Sequence, residues 1–152
     1  MFDVRLLDQA FDPNSHIDRL AGATPEAGGI ASFVGKVRAG GVEALELSHY
    51  GPLTLPGMQQ LAHRADERFN LMGLLMLHRI GKLLPGDPIV CVSAAARHRR
   101  DAIEAVDFCM DHLKSAAWFW KRELSDGNWC WIEPREADHI DLARWGEKKA
   151  PV

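Results

Sequence analysis

The chain has 152 residues, of which 47% are hydrophobic and 26% charged, an ordinary composition for one soluble globular domain with a real core. A formal net charge of −3 argues against a general nucleic-acid binder, though not against a local basic pocket. The apolar runs, such as residues 71–77, are too short to span a membrane.

Cys91, Cys109 and Cys130 show no CxxC spacing. Together with an N-terminus that does not resemble a signal, they predict a reducing cytoplasm, no disulfide framework and three small core hydrophobes.

In chain order, residues 2–7 alternate and suit an edge strand, and Ser15 suits the cap of a short helix through Ala21. Residues 28–38 predict a strand, Gly40 and Gly41 a turn, and residues 42–50 a half-buried strand pairing with the first. Pro56 fits the first turn of a helix carrying Met58, Leu61, Ala62, Ala65 and Phe69 at helical spacing. Residues 71–80 and 88–95 predict two buried strands around the turn signal at 85–88. Ile103, Val106, Met110, Leu113 and Ala117 form the stripe of a long helix over 100–117. Residues 118–124 and 129–133 alternate around Asp126-Gly127, a strong hairpin signal. A short helix over 136–145 follows. Strands and helices without regular βαβ alternation predict an α+β fold with a largely antiparallel sheet. Residues 1–145 read as one domain and residues 146–152 as a flexible tail.

The chemistry concentrates where cations meet apolar side chains. Lys114 and Lys121 sit among large hydrophobic and aromatic residues, where a lysine tends to be desolvated and to act as a proton donor, nucleophile or anion clamp. The plainer alternatives are a Lys114 stem snorkelling over core surface and a Lys121 on a solvated strand face opposite Trp118 and Trp120. Arg97, His98, Arg99 and Arg100 immediately precede the long helix, whose unpaired N-terminal N–H groups favour anions; a solvated basic turn is the other reading. Residues 35–38 lack the frame of a phosphate loop, no histidine and cysteine stand at zinc spacing, and no nucleophile elbow is present. No metal and no cofactor are expected.

Taken in order, Phe33-Val-Gly-Lys-Val-Arg38, Leu47-Ser-His-Tyr50, His78-Arg-Ile-Gly81, Pro85-Gly-Asp87, His98-Arg99, Met110-Asp-His-Leu-Lys114, Phe119-Trp-Lys-Arg-Glu123 and Trp131-Ile-Glu-Pro-Arg135-Glu resemble the large, catalytic subunit family of molybdopterin synthase. The resemblance covers about residues 29–145. It implies an α/β-hammerhead-like core with an added antiparallel sheet. It also implies conversion of cyclic pyranopterin monophosphate to molybdopterin by insertion of two dithiolene sulfurs. The sulfur would come from the C-terminal Gly-Gly thiocarboxylate of a small ubiquitin-like subunit, in a heterotetramer with two large subunits at its centre.

By the same resemblance, Lys114 matches the essential pocket lysine and Lys121 the second functional lysine. Arg38, His98 and Arg99 match residues lining the substrate pocket, with Phe33 and Met110 beside them. Arg135 matches an arginine reaching in from the neighbouring large subunit. One departure is plain: the family's usual His-Tyr-Pro-Gly-Met reads His49-Tyr-Gly-Pro-Leu53. The rival readings are a non-catalytic adaptor for a ubiquitin-like tail and a small-anion-binding module without a protein partner.

Overall fold

A computed structural model of the chain describes residues 1–115, 118–133 and 136–147. Its elements are β1 (Phe2–Leu7), α1 (Pro13–Ala23), β2 (Gly29–Lys36), β3 (Ala44–His49), α2 (Gly51–Phe69), β4 (Gly73–Arg79), β5 (Gly81–Leu83), β6 (Pro88–Ala96), α3 (Arg99–Ser115), β7 (Phe119–Ser125), β8 (Asn128–Ile132) and α4 (Glu136–Glu147). They build the expected α+β fold from two four-stranded sheets, ordered β1-β4-β6-β2 and β5-β3-β7-β8.

The first sheet is covered on both faces, and strand alternation decides which side chain goes where. Leu74 and Met76 of β4 and Val90, Val92 and Ala94 of β6 face α2 and α3, packing with Met58, Leu61, Ala65, Phe108 and Leu113. Leu75, Leu77, Cys91 and Ala95 face the other way, onto Leu20 of α1. Every residue of β4 is therefore buried, which is why residues 71–80 read as a continuous apolar run rather than an alternating one. β1 is the expected edge strand, but it runs parallel to β4; the remaining pairs are antiparallel.

Several boundaries and one pairing differ from the sequence reading. α1 starts earlier, because Asp12, not Ser15, caps it: its carboxylate accepts from the Asn14 N–H at 3.1 Å, and Pro13 sits in the first turn. α2 also starts earlier, at Gly51-Pro52, which leaves Pro56 inside the helix. The strand after the Gly40-Gly41 turn does not pair with β2. β3 instead joins β5 and β7 in the second sheet, while β2 finds its partner in β6. α4 continues through Gly146 to Glu147. The end of the apolar stripe predicted at Ala117 and the arginine at 135 lie outside the described residues.

The hairpin between β7 and β8 has the predicted two-residue turn. Asp126 and Gly127 both take positive φ, 51° and 76°, the geometry whose twist matches antiparallel strands. The stretch entering β7 is fastened to α2. Buried Thr54 donates from Oγ1 to the Trp118 carbonyl at 2.8 Å and accepts from the Tyr50 N–H at 3.1 Å.

Candidate active site

α3 lies against β6 and β2 and runs back along the sheet from the end where β6 delivers it. Its first turn therefore stands at one end of the sheet and its last turn at the other. With 1.5 Å of rise per residue, Arg99 and Lys114 are about 22 Å apart along the axis.

At the first end the residues of the predicted basic cluster come together. Gly28, Arg97, His98, Arg99 and Arg100 line a depression of about 450 Å³ at the N-terminus of α3. β2 begins so close to the junction of β6 and α3 that a Cβ on Gly28 would fall 2.1 Å from the Arg97 carbonyl oxygen, so this approach requires glycine. Guanidinium groups, an imidazole and helix N-terminal N–H groups converge here without a neutralising cluster. Asp101 is the one acidic residue of the first turn, and Arg100 reaches Glu104 only at 3.9 Å. The arrangement suits a phosphate or carboxylate.

The other end holds the lysines. Lys114 lies in the last turn of α3, one turn beyond half-buried Met110. It is exposed in the single chain, so the desolvation expected for it is not supplied by its own fold. Lys121 lies on β7 opposite Leu47 of β3 and Ile132 of β8, on the face that carries Phe119 rather than the face of Trp120. Its side chain is 41% exposed and its Nζ is 3.8 Å from Glu123 Oε1. Arg38 belongs to this end too. The adjacent Val37 is hydrogen-bonded to Gly86 and Asp87 in the turn that leads into β6, and Arg38 itself is exposed. Phe33, 42% exposed, pairs with Val92 halfway along β2, between the two ends.

Within charge range of Lys114 stands His78, the last buried residue before Arg79 at the end of β4. Its ring stacks on Phe119 with centroids 3.9 Å apart and an interplanar angle of 15°. Burial pushes its pKa down to about 4, against the opposing effect of a 2.8 Å hydrogen bond to the Arg79 carbonyl, and the Lys114 cation lowers it further. The ring is therefore neutral at physiological pH. The sequence assigns His78 no role. Its only signal there is a polar residue closing an otherwise apolar strand.

Two of the three cysteines are held by burial as poor nucleophiles. Cys109 is buried and its thiol is pushed up to about 12 by that burial; burial raises Cys91 as well. Cys130 corrects the expectation of a third core cysteine: it is exposed, because β8 is the edge of the second sheet and has no layer over it. Among the described residues, no group of three His, Cys, Asp or Glu side chains is placed to hold a metal ion.

Thus one chain gathers Arg38, Lys114 and Lys121 at one end, with Phe33 and Met110 leading toward them, and His98 with Arg99 at the other. The profile of the MoaE protein family matches residues 6–116. The chain belongs to the MoaE family. It is 41% identical to a molybdopterin synthase catalytic subunit of Caulobacter vibrioides over 147 residues, covering 95% of this chain and 98% of that one. The MoaE protein of Burkholderia ambifaria has a similar structure, with a TM-score of 0.83 and 39% identity over 96% of this chain and 99% of that one. A more distant MoaE-like fold is found in a complex of subunits 1 and 2 of the Helicobacter pylori molybdopterin-converting factor, with a TM-score of 0.74 and 21% identity over 87% of this chain and 91% of that chain. Among the described residues of this MoaE family member, no helix is long and apolar enough to cross a membrane.

Proposed function

We propose that this chain is the catalytic subunit of a molybdopterin synthase, a cytoplasmic sulfurtransferase that converts cyclic pyranopterin monophosphate to molybdopterin. Family membership supports the reaction, and the separation of the anion pocket from the lysine pair supports the way the site is assembled. The sulfur arrives on the C-terminal Gly-Gly thiocarboxylate of a small ubiquitin-like carrier. A carrier of this kind accords with a two-subunit complex in a protein of the same fold, and with core cysteines whose thiols are too basic to relay sulfur.

The single observation that carries the site assignment is the length of α3. About 22 Å of helix between them keeps Arg99 and Lys114 of one chain from closing on the same small group. Two copies related by a two-fold axis solve this, each lending His98 and Arg99 to the other's Lys114, Lys121 and Arg38. Arg135 would join from the neighbouring copy as well. The outer face of the β7–β8 hairpin offers material for such an assembly. Trp131 is 63% exposed, and the Arg122 guanidinium lies 4.5 Å from the Trp129 ring centroid while bonding Glu46 at 2.8 Å.

In this site the arginines and His98 hold the phosphate and pterin. Lys114 anchors the thiocarboxylate or protonates the leaving oxygen when the cyclic phosphate opens, and Lys121 assists. The closing of a partner and a second copy over the exposed Lys114 would supply the desolvation that the isolated chain lacks. Mixing the chain with a thiocarboxylated carrier and cyclic pyranopterin monophosphate, then assaying molybdopterin, tests the reading. Product is expected with all three components. Its absence with a folded complex overturns the assignment.

A further inference from the structure

We propose that the flank of α3 turned away from α2, with the open edge of β2 beneath it, is the surface on which a second copy of this chain docks antiparallel. The inference rests on the two-copy reading of the proposed function, and it supplies the surface and the register that this reading leaves open.

The flank is defined by what α3 turns toward α2. Phe108 packs on Phe69, and His112 lies 3.2 Å from the Arg64 guanidinium, so these two residues mark the α2 side. At 3.6 residues per turn, Arg99, Ile103, Met110 and Lys114 fall on the opposite side. Ile103 is 57% exposed and Met110 half-buried, and the two lie between the cations. Below them, β2 pairs with β6 alone. From Gly29 to Gly35 it carries no charge and no proline, and Ile30, Phe33 and Val34 are 39%, 42% and 38% exposed. An apolar edge without the devices that keep edges apart is a surface for another strand.

One two-fold axis serves helix and strand together. Arg99 and Ile103 are four residues apart, as are Met110 and Lys114. An antiparallel helix therefore sets Ile103 on the partner subunit's Met110 and Arg99 beside the partner subunit's Lys114. The axis then crosses α3 about 11 Å from Arg99. Gly29 lies against Arg99, and the middle of β2, between Ser32 and Phe33, is about 12 Å farther along. The same axis thus centres an antiparallel pairing of the two β2 strands. The lateral spacing agrees as well. α3 lies over β6 and β2 alike, and joined sheets keep a strand spacing of about 4.8 Å, so the two helices stand about 10 Å apart, an ordinary packing distance. Apolar side chains then hold the middle of the seam. At each end, His98 and Arg99 of one copy face Lys114 of the other, where an anion belongs.

Two measurements on the full chain test this. The first is air oxidation of a chain carrying Cys130→Ser, Ile103→Cys and Met110→Cys. A covalent dimer is expected, with residue 103 of one copy bridged to residue 110 of the other in the peptide masses. Within one helix these positions are about 10 Å apart and cannot bridge. An uncross-linked chain, or a dimer bridged only between like positions, overturns the proposal. The second is sedimentation equilibrium. Ile103→Glu is expected to raise the dissociation constant of the dimer by about 10²-fold while the melting temperature stays near that of the wild type. A wild-type chain that is monomeric at micromolar concentration, or an Ile103→Glu chain as tightly dimeric as the wild type, overturns it. Neither measurement uses carrier or precursor. If the wild-type complex makes no molybdopterin, the proposed function fails while these results still decide the seam, and a failed seam leaves the molybdopterin assay to judge the function on its own.

Discussion

The two ends of α3 are built on opposite plans. At its N-terminus the cations are crowded, consecutive in sequence and open to solvent: Arg97, His98, Arg99 and Arg100 around a depression floored by the bare backbone of Gly28. At its C-terminus the cations are sparse and come from distant parts of the chain: Arg38, Lys114 and Lys121, with a buried, neutral histidine within charge range of Lys114. The first plan makes a binding site, since charge and N–H donors act on an anion in many poses. The second is the end to which the proposed function gives the chemistry, since few cations brought from distant segments fix the place of a reacting group more narrowly than a crowd does. A helix of 17 residues keeps the two apart within one chain, and in the proposed two-copy site association would bring them together.

The sharpest way to test this contrast is at Lys114. Lys114→Ala is expected to lower molybdopterin formation by at least about 10²-fold while the chain stays folded, because the residue is exposed. Lys114→Arg should not restore it, since a guanidinium does not give up a proton near neutral pH. Near-normal turnover in either variant would erase the difference between the two ends.

A smaller but more telling effect is expected from mixing. Arg99→Ala should raise KM for the precursor more than it lowers kcat, and Lys114→Ala the reverse. Exchanged into mixed dimers and assayed at precursor concentrations where each variant alone is nearly silent, the two chains should regain roughly a quarter of wild-type activity, because half the dimers carry one intact pocket of two. Verified exchange with no recovery would place both ends of α3 in separate functions.

The neutral histidine gives a third test, in stability. His78 prefers the neutral form in the folded chain, with a pKa of about 4 against an ordinary 6.5. Its contribution is therefore complete above pH 6.5, declines as the pH falls toward 4, and is lost below. The total is of the order of 3 kcal/mol. Urea midpoints measured across that window should fall less steeply in His78→Phe than in the wild type, and equal slopes would show that the ring is not held neutral.

The smallest effect is expected at the cysteines. Cys91→Ala, Cys109→Ala and Cys130→Ala combined should keep sulfur transfer. The two buried positions should cost about 1 kcal/mol each in a melting experiment and exposed Cys130 almost nothing. A folded triple variant that binds carrier and precursor yet moves no sulfur would bring a thiol back into the mechanism.

Much of this was legible in the residues. The stripe of α3, the buried strands β4 and β6, and the Asp126-Gly127 hairpin follow from local rules: a period of 3.6, an unbroken apolar run, and a turn that requires two positive φ values. The identities of the basic cluster and of both lysines were equally visible, as was the ordered set of short motifs that marks the family. The partner of β3 was not. Residues 44–49 alternate in the same way whether they lie beside β2 or beside β7, because alternation reports that one face is covered and not by what. Nor could the sequence tell that Asp12 would displace Ser15 as a cap, since both can accept the same N–H bond.

What the sequence determined by itself, then, is local conformation, the chemistry of individual side chains and membership of a family. What only the tertiary structure decided is which of those side chains share a place. His98 and Arg99 are nearer to Lys114 in sequence than Arg38 is, yet Arg38 shares its end of the sheet and they do not. The reason is physical: a helix separates its termini by 1.5 Å for every residue, while antiparallel strands bring residues far apart in sequence side by side. The same geometry turned His78 from a polar residue near the end of an apolar run into a buried ring stacked on Phe119 of the other sheet.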